Sequence, residues 1–373
     1  MPEVAEVSHV CALLKRNILG FRITKVNLLH DPLLFPVLKD TNDAEKELNK
    51  MRKALTNAVV TSVGRHGKYF WIRLNNHNTT NVLLMHFGMT GMIKLRNVHS
   101  HLAFMENGGD KKALEKLERF RYKDSRIKPD VEVKQEWPPR FTKFNMELEN
   151  NDKKLEFAFS DPRRLARVRL LSGLEVSTDE SLLKLSPLNA LGPDYSKPEV
   201  PPKESEPFVF GDPDSDNHGR ARLSIDEFSA LILSKKKPIK SLLLDQTYFA
   251  GVGNWVADEV LFQAHIHPNE IISSKIPKDL EYVHPVIKQL YDSLIYVCEE
   301  AVRVEGDVAK FPDDWLMLHR WGKGRKEKRK TPNGYILDHI TVGGRTSCYC
   351  PELQRLIKVE TATTTKRRKV KRE

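Results

Sequence analysis

The sequence predicts an α+β protein: an N-terminal β-sandwich flanked by helices, then a helical domain that ends in a β-hairpin. Three patterns carry that expectation. A helical apolar period opens the chain, eight short β-forming runs follow it, and helical periodicity returns beyond a Pro-, Asp- and Ser-rich stretch.

Val4, Val7, Cys11, Leu14 and Ile18 recur at helical spacing before Gly20, which predicts an amphipathic helix over 4–19. The runs 21–28, 58–64, 68–74, 81–86, 92–95, 144–148, 155–159 and 166–171 are rich in β-formers. Gly, Asn and Asp separate them, the rhythm of a sandwich or barrel. Residues 97–140 are strongly charged and break that rhythm as an insertion. Residues 193–219 have the composition of a linker. Ser224 with Glu227 three residues later predicts a capped helix running to about residue 236. The stretches 240–244, 255–265 and 278–304 read as further helices, and 335–349 alternates around Gly343-Gly344 as a hairpin. The expected layout is therefore a sandwich domain at 1–192, a linker at 193–219 and a helical domain at 220–310. A hairpin finger at 311–355 and a basic tail at 356–373 complete it.

The 373 residues carry 61 Lys and Arg against 50 Asp and Glu, a net charge of +11. The last eight residues, KRRKVKRE, hold six positive charges and one negative, so the remainder is still basic at +6. That balance points to a polyanionic partner. The four cysteines are scattered and form no C-x2-C pair, so neither a disulfide framework nor a structural zinc site is expected. The opening residues lack the layout of a secretory leader, and no apolar run approaches a membrane span.

Pro2 is the first residue with chemistry. A proline in second place permits removal of Met1, which leaves a secondary amine. An α-amine titrates near ~7.7–8.0, far below lysine, so a neutral nucleophilic fraction exists at physiological pH. It can attack an anomeric carbon and form an iminium ion, and Glu3 beside it can carry protons. Alone, this pair is an ordinary chain start.

The opening Pro2-Glu3-Val4-Ala5-Glu6-Val7 resembles the PELPEVE start of the formamidopyrimidine-DNA glycosylase/endonuclease VIII (Fpg/Nei) family. The likeness continues in order along the chain. Gly64-Arg-His-Gly-Lys68-Tyr resembles the family's lysine hairpin, and His86-Phe-Gly-Met89-Thr-Gly91 its H-x-G-M-[ST]-G segment. Asp161-Pro-Arg163-Arg164-Leu165 resembles D-P-R-R-F, and Gly251-Val-Gly253-Asn254 followed by Ala257-Asp-Glu259 resembles the helix–two-turns–helix element. Thr341-Val-Gly-Gly-Arg345 resembles the zincless finger of plant and fungal members. Ala5, Ser8 and Leu165 depart from the usual Pro, Glu and Phe.

The resemblance implies a bifunctional glycosylase and abasic-site lyase of base excision repair. Its partner is duplex DNA carrying oxidised bases or abasic sites, and no metal or organic cofactor is needed; a monomer is expected, though no residue pattern shows it. It implies Pro2 as nucleophile, Glu3 as proton carrier, and Lys68 beside them as a catalytic phosphate clamp. Met89, Arg163 and Leu165 fill the void left by the extruded nucleotide; Gly253, Asn254 and Arg345 grip phosphates. Glu6 and Lys240 are implied at the lesion pocket. Formamidopyrimidines and further-oxidised guanines are the implied substrates, with 8-oxoguanine open. The tail 366–372 reads as a nuclear localisation signal or a DNA-binding arm. A noncatalytic damage-binding protein, or an RNA-binding protein sharing only the helix–two-turns–helix element, are the competing readings.

Overall fold

The structure, a computed structural model, describes residues 2–77, 79–102, 136–197, 221–278, 280–321, 323–324 and 328–358. Most of the charged insertion, of the expected linker and of the basic tail lies outside the described residues.

Helix α1 (Val4–Ile18) forms where the apolar period predicts it. Its face of Val7, Val10, Cys11, Leu14 and Ile18 joins the sandwich core, while Val4 and Ala5 in its first turn join the helical domain's core. One helix therefore belongs to both cores.

The eight expected runs all form strands: β1 (Arg22–Leu28), β2 (Val59–His66), β3 (Tyr69–Asn76) and β4 (Thr79–His86). β5 (Met92–Leu95), β6 (Thr142–Asn150), β7 (Lys153–Ser160) and β8 (Arg167–Ser172) follow. They pair antiparallel in the order β5-β7-β6-β1-β2-β3-β4-β8. Between β1 and β2 the ladder narrows to one Cα pair, Arg22↔Val59, and there the sheet divides into two leaves. Phe70 of β3 packs on Phe87 at 4.6 Å, and Phe87 on Phe159 of β7 at 5.8 Å, which joins the leaves across the core. Helix α2 (Ala44–Leu55) was not expected. It buries only Leu48, Met51 and Leu55, with Asp43 accepting at its cap from the Lys46 amide.

A short α3 (Asp179–Leu182) precedes the second domain. That domain comprises α4 (Ile225–Ser234), α5 (Ile239–Leu243), α6 (Asn254–Gln263) and α7 (Pro285–Arg303). The Ser224–Glu227 capping box forms as predicted. The finger is the pair β9 (Asp338–Val342) and β10 (Arg345–Tyr349), turning at Gly343 and Gly344, both at positive φ. Leu337, Cys348 and Cys350 bury it against Phe262 and Leu316.

The expected linker begins too early. Asp194, Ser196 and Lys197 are buried, not solvated. Asp194 receives the Arg65 guanidinium at 2.6 Å and the Gly67 amide at 2.9 Å, and the Lys197 ammonium donates to the Arg65 carbonyl at 2.7 Å. Composition suggested a tether because Pro, Asp and Ser are loop formers. Here a buried arginine supplies Asp194 with a partner, and the segment braces the β2–β3 turn.

Candidate active site

Glu3 sits where the two domains meet. Its backbone N–H donates to the Glu6 carboxylate at 2.8 Å, half of a capping box on α1. Its own carboxylate reaches across to α6, accepting from the Trp255 amide at 3.1 Å and the Val256 amide at 3.1 Å. An anion at a helix start satisfies orphan donors and meets the positive end of the helix dipole. The expected phosphate site at this helix start is thus partly taken by an internal carboxylate.

Two glycines permit the approach. A Cβ on Gly253 would lie 2.1 Å from the Glu3 carboxyl carbon, and one on Gly251 2.9 Å from the Val4 Cβ. The Val4 amide donates to the Gly251 carbonyl at 3.1 Å. Gln246 braces the same turn, accepting from the Gly251 amide at 3.1 Å and donating to the Val252 carbonyl at 2.8 Å. Pro2 is buried beside this junction.

Lys68 joins the cluster from the β2–β3 turn, its ammonium donating to the Val252 carbonyl at 2.9 Å. Burial holds it below the ordinary lysine range, and the charge of Glu3 opposes that shift. Glu6 accepts from the Trp255 indole at 3.2 Å. Burial, and then the neighbouring Glu3 charge, push its pKa up to about 7. The site therefore holds two carboxylates in contrasting surroundings, with one of them poised to take a proton near neutrality.

Arg345 lies exposed at the finger's turn. The next residue anchors the finger: the Thr346 carbonyl accepts from the Asn254 side chain at 3.0 Å. Asn254 thus orients the finger. Lys240, implied at the lesion pocket, is fully buried and paired with Asp258. Asp258 also accepts from Arg320 at 2.7 Å and from the Cys348 amide at 3.2 Å. Lys240 is a pin beneath the finger, because a buried ammonium requires a buried counter-charge.

Met89, Arg163 and Leu165 stand on the rim of the sandwich, on the loops after β4 and β7. Met89 is half-buried, and Arg163 and Leu165 are exposed. The pairs Tyr69↔His86 and His86↔Arg167 place these loops at the same strand end as the Lys68 turn. The backbones touch: a Cβ on Gly88 would lie 2.3 Å from the Leu165 carbonyl oxygen.

Three residues that carry this site were not singled out from sequence. Asp161 is fully buried and accepts from the Thr90 hydroxyl at 2.6 Å, the Arg163 amide at 3.1 Å and the Ala166 amide at 2.8 Å. His86 packs against Tyr69 with the rings tilted and their centroids 4.7 Å apart, and it accepts from the Gly88 amide at 3.0 Å. Burial and then the Lys68 charge lower its pKa to about 4, so it is neutral at physiological pH. Trp255 lines the Glu3–Glu6 pair. Asp161 and His86 stood inside quoted motifs and Trp255 directly after Asn254, but only its partners reveal what each does.

A cavity of about 810 Å³ lies between α2 and β8, far from this cluster. Asn76 and Thr79 in its lining mark the strand ends opposite the Lys68 turn.

Both domains match one known family. The formamidopyrimidine-DNA glycosylase N-terminal domain matches residues 1–168, and the H2TH domain of the same enzymes matches 213–312. The fold and site define a DNA glycosylase of base excision repair. The chain belongs to the formamidopyrimidine-DNA glycosylase family. A relative of that name from Arabidopsis thaliana is 32% identical over 372 residues, covering 100% of this chain and 75% of the relative. Another, from Streptococcus pneumoniae, is 25% identical over 363 residues, covering 95% and 99%. Among solved structures, Lactococcus lactis formamidopyrimidine-DNA glycosylase bound to DNA with an abasic site superposes with a TM-score of 0.59. It is 21% identical and covers 95% of this chain and 99% of that one.

Proposed function

We propose that this chain excises oxidised bases, formamidopyrimidines and oxidised guanines among them, and then nicks the abasic site through an iminium with Pro2. The observation that carries the reading is the seat of Glu3, which fixes the residue after Pro2 to the helix opening at Asn254. The Pro2 nitrogen attacks C1′ as the glycosidic C–N bond breaks, and the departing base takes a proton that Glu3 delivers. The sugar ring opens to leave an iminium. Loss of the C2′ proton expels the 3′ phosphate, a second elimination expels the 5′ phosphate, and water frees Pro2.

The nucleotide must leave the stack to reach this amine. Met89, Arg163 and Leu165 are suited to fill the void, and Lys68 and Arg345 to hold the kinked backbone. The names of the relatives support formamidopyrimidines as substrates. The basic stretch 366–372 is proposed to direct the protein to the nucleus, which a fluorescent fusion with and without those residues tests.

A panel of duplexes, each with one lesion, tests the activity. Release of free base together with a one-nucleotide gap supports it. Tight binding of lesion duplexes with no base released would leave a damage-binding protein instead.

A further inference from the structure

Phe141 is an exposed aromatic in a backbone conformation that bulky residues avoid. Its φ is +64°, and 48% of it is open to solvent. A left-handed bulky residue is a genuine outlier that surrounding structure must enforce. The enforcement is local. The Pro139 carbonyl accepts from the Thr142 hydroxyl at 2.6 Å and the Thr142 amide at 3.2 Å, closing the turn around Phe141. The Phe141 carbonyl then accepts from the Asp161 amide at 3.1 Å.

That last bond gives Phe141 its setting. Asp161 is the residue whose side chain holds Thr90, Arg163 and Ala166, the immediate supports of Met89 and Leu165. The register agrees, because Ser160 pairs with both Thr142 and Met92. Phe141 therefore sits on the same rim as the three void-filling side chains. The Arg140 guanidinium lies over its ring at 4.7 Å.

We propose that Phe141 and Arg140 form a further DNA contact, an aromatic wedge with a cationic cover that packs into the minor groove beside the emptied site. The proposal rests on the DNA-repair reading above. An apolar wedge at a base step and an arginine at the adjoining groove wall or phosphate are the chemistry that stabilises kinked duplex. Leu165 stands where the family motif carries Phe, and Phe141 adds aromatic surface to this rim among the described residues.

The test uses duplexes with a tetrahydrofuran abasic analogue and 2-aminopurine in the complementary strand next to the orphaned base. Wild type and F141W are expected to change the fluorescence on binding. F141G is expected to weaken duplex binding about tenfold and abolish that change, the size of one lost stacking contact. F141G also relieves the positive φ, so its thermal midpoint should hold or rise, whereas a purely structural Phe141 would lower it.

Duplex affinity and fluorescence of F141G within twofold of wild type would overturn the contact, as would an affinity loss matched by a lower thermal midpoint. If wild type neither excises nor traps, yet F141G still loses duplex affinity, the contact stands and the enzymatic reading falls.

Discussion

The carboxylate of Glu3 caps a helix 252 residues away, accepting from the Trp255 amide at 3.1 Å. With Val4 in contact with Gly251, this makes the chain start a wedge between two domains. Pro2, the proposed nucleophile, is placed by the domain junction and not by its own local structure.

Glu3→Gln keeps the side chain's shape and one acceptor for the helix amides, but removes the charge and the proton carrier. Base excision should fall about 10²-fold or more, since general acid–base groups contribute on that scale. Trapping on a preformed abasic site should survive. Parallel single-turnover assays on a lesion duplex and an abasic duplex check this, and equal losses on both would contradict it.

Gly253→Ala should be far more damaging than its size suggests. The new methyl would meet the Glu3 carboxyl at 2.1 Å, so the carboxylate must leave its seat on α6. Loss of a helix cap costs about 1–2 kcal/mol, readable in urea unfolding, and activity should fall with it. Wild-type stability and activity in this variant would sink the account of the junction.

Lys68→Ala removes an ammonium directed at the Val252 carbonyl in the same cluster. As a phosphate clamp it should contribute about one unit to the slope of log affinity against log salt. Binding titrations between low and moderate salt measure this. An unchanged slope would show that Lys68 meets no phosphate.

Acid stability should report the two histidines of this rim. Burial lowers both His66 and His86 to about 4. Their folded values lie below the unfolded one, so their contribution is whole above about 6.5 and is lost as pH falls toward 4. The thermal midpoint should drop over that window, and less so in a His86→Gln variant. A variant as acid-sensitive as wild type would refute the assignment to His86.

The strands were legible because their alternation and turn residues are local properties. α1 was legible for the same reason, and Gly20 closes it at φ +78°. Helix α2 was missed because three apolar residues on a charged segment give a weak period, although Asp43 ahead of it was a usable cap signal. The burial of Asp194 and Lys197 could not be read, since their partner Arg65 lies on a distant strand. The pairing of Lys240 with Asp258 was hidden for a similar reason, since only the fold brings the two side chains together. The family motifs pointed to Glu3, Glu6, Lys68 and Asn254, which the fold brings to one junction, but the hub at Asp161 depends on which amides its carboxylate meets.

The most direct test is borohydride trapping on an abasic duplex, followed by mass mapping of the adduct. One covalent complex is expected, with DNA joined to the N-terminal peptide at Pro2. That complex should vanish in a chain that retains Met1 and in Pro2→Gly fall to the weaker trapping of a primary amine. An adduct at Lys68, or none in a preparation that releases damaged bases, would contradict it.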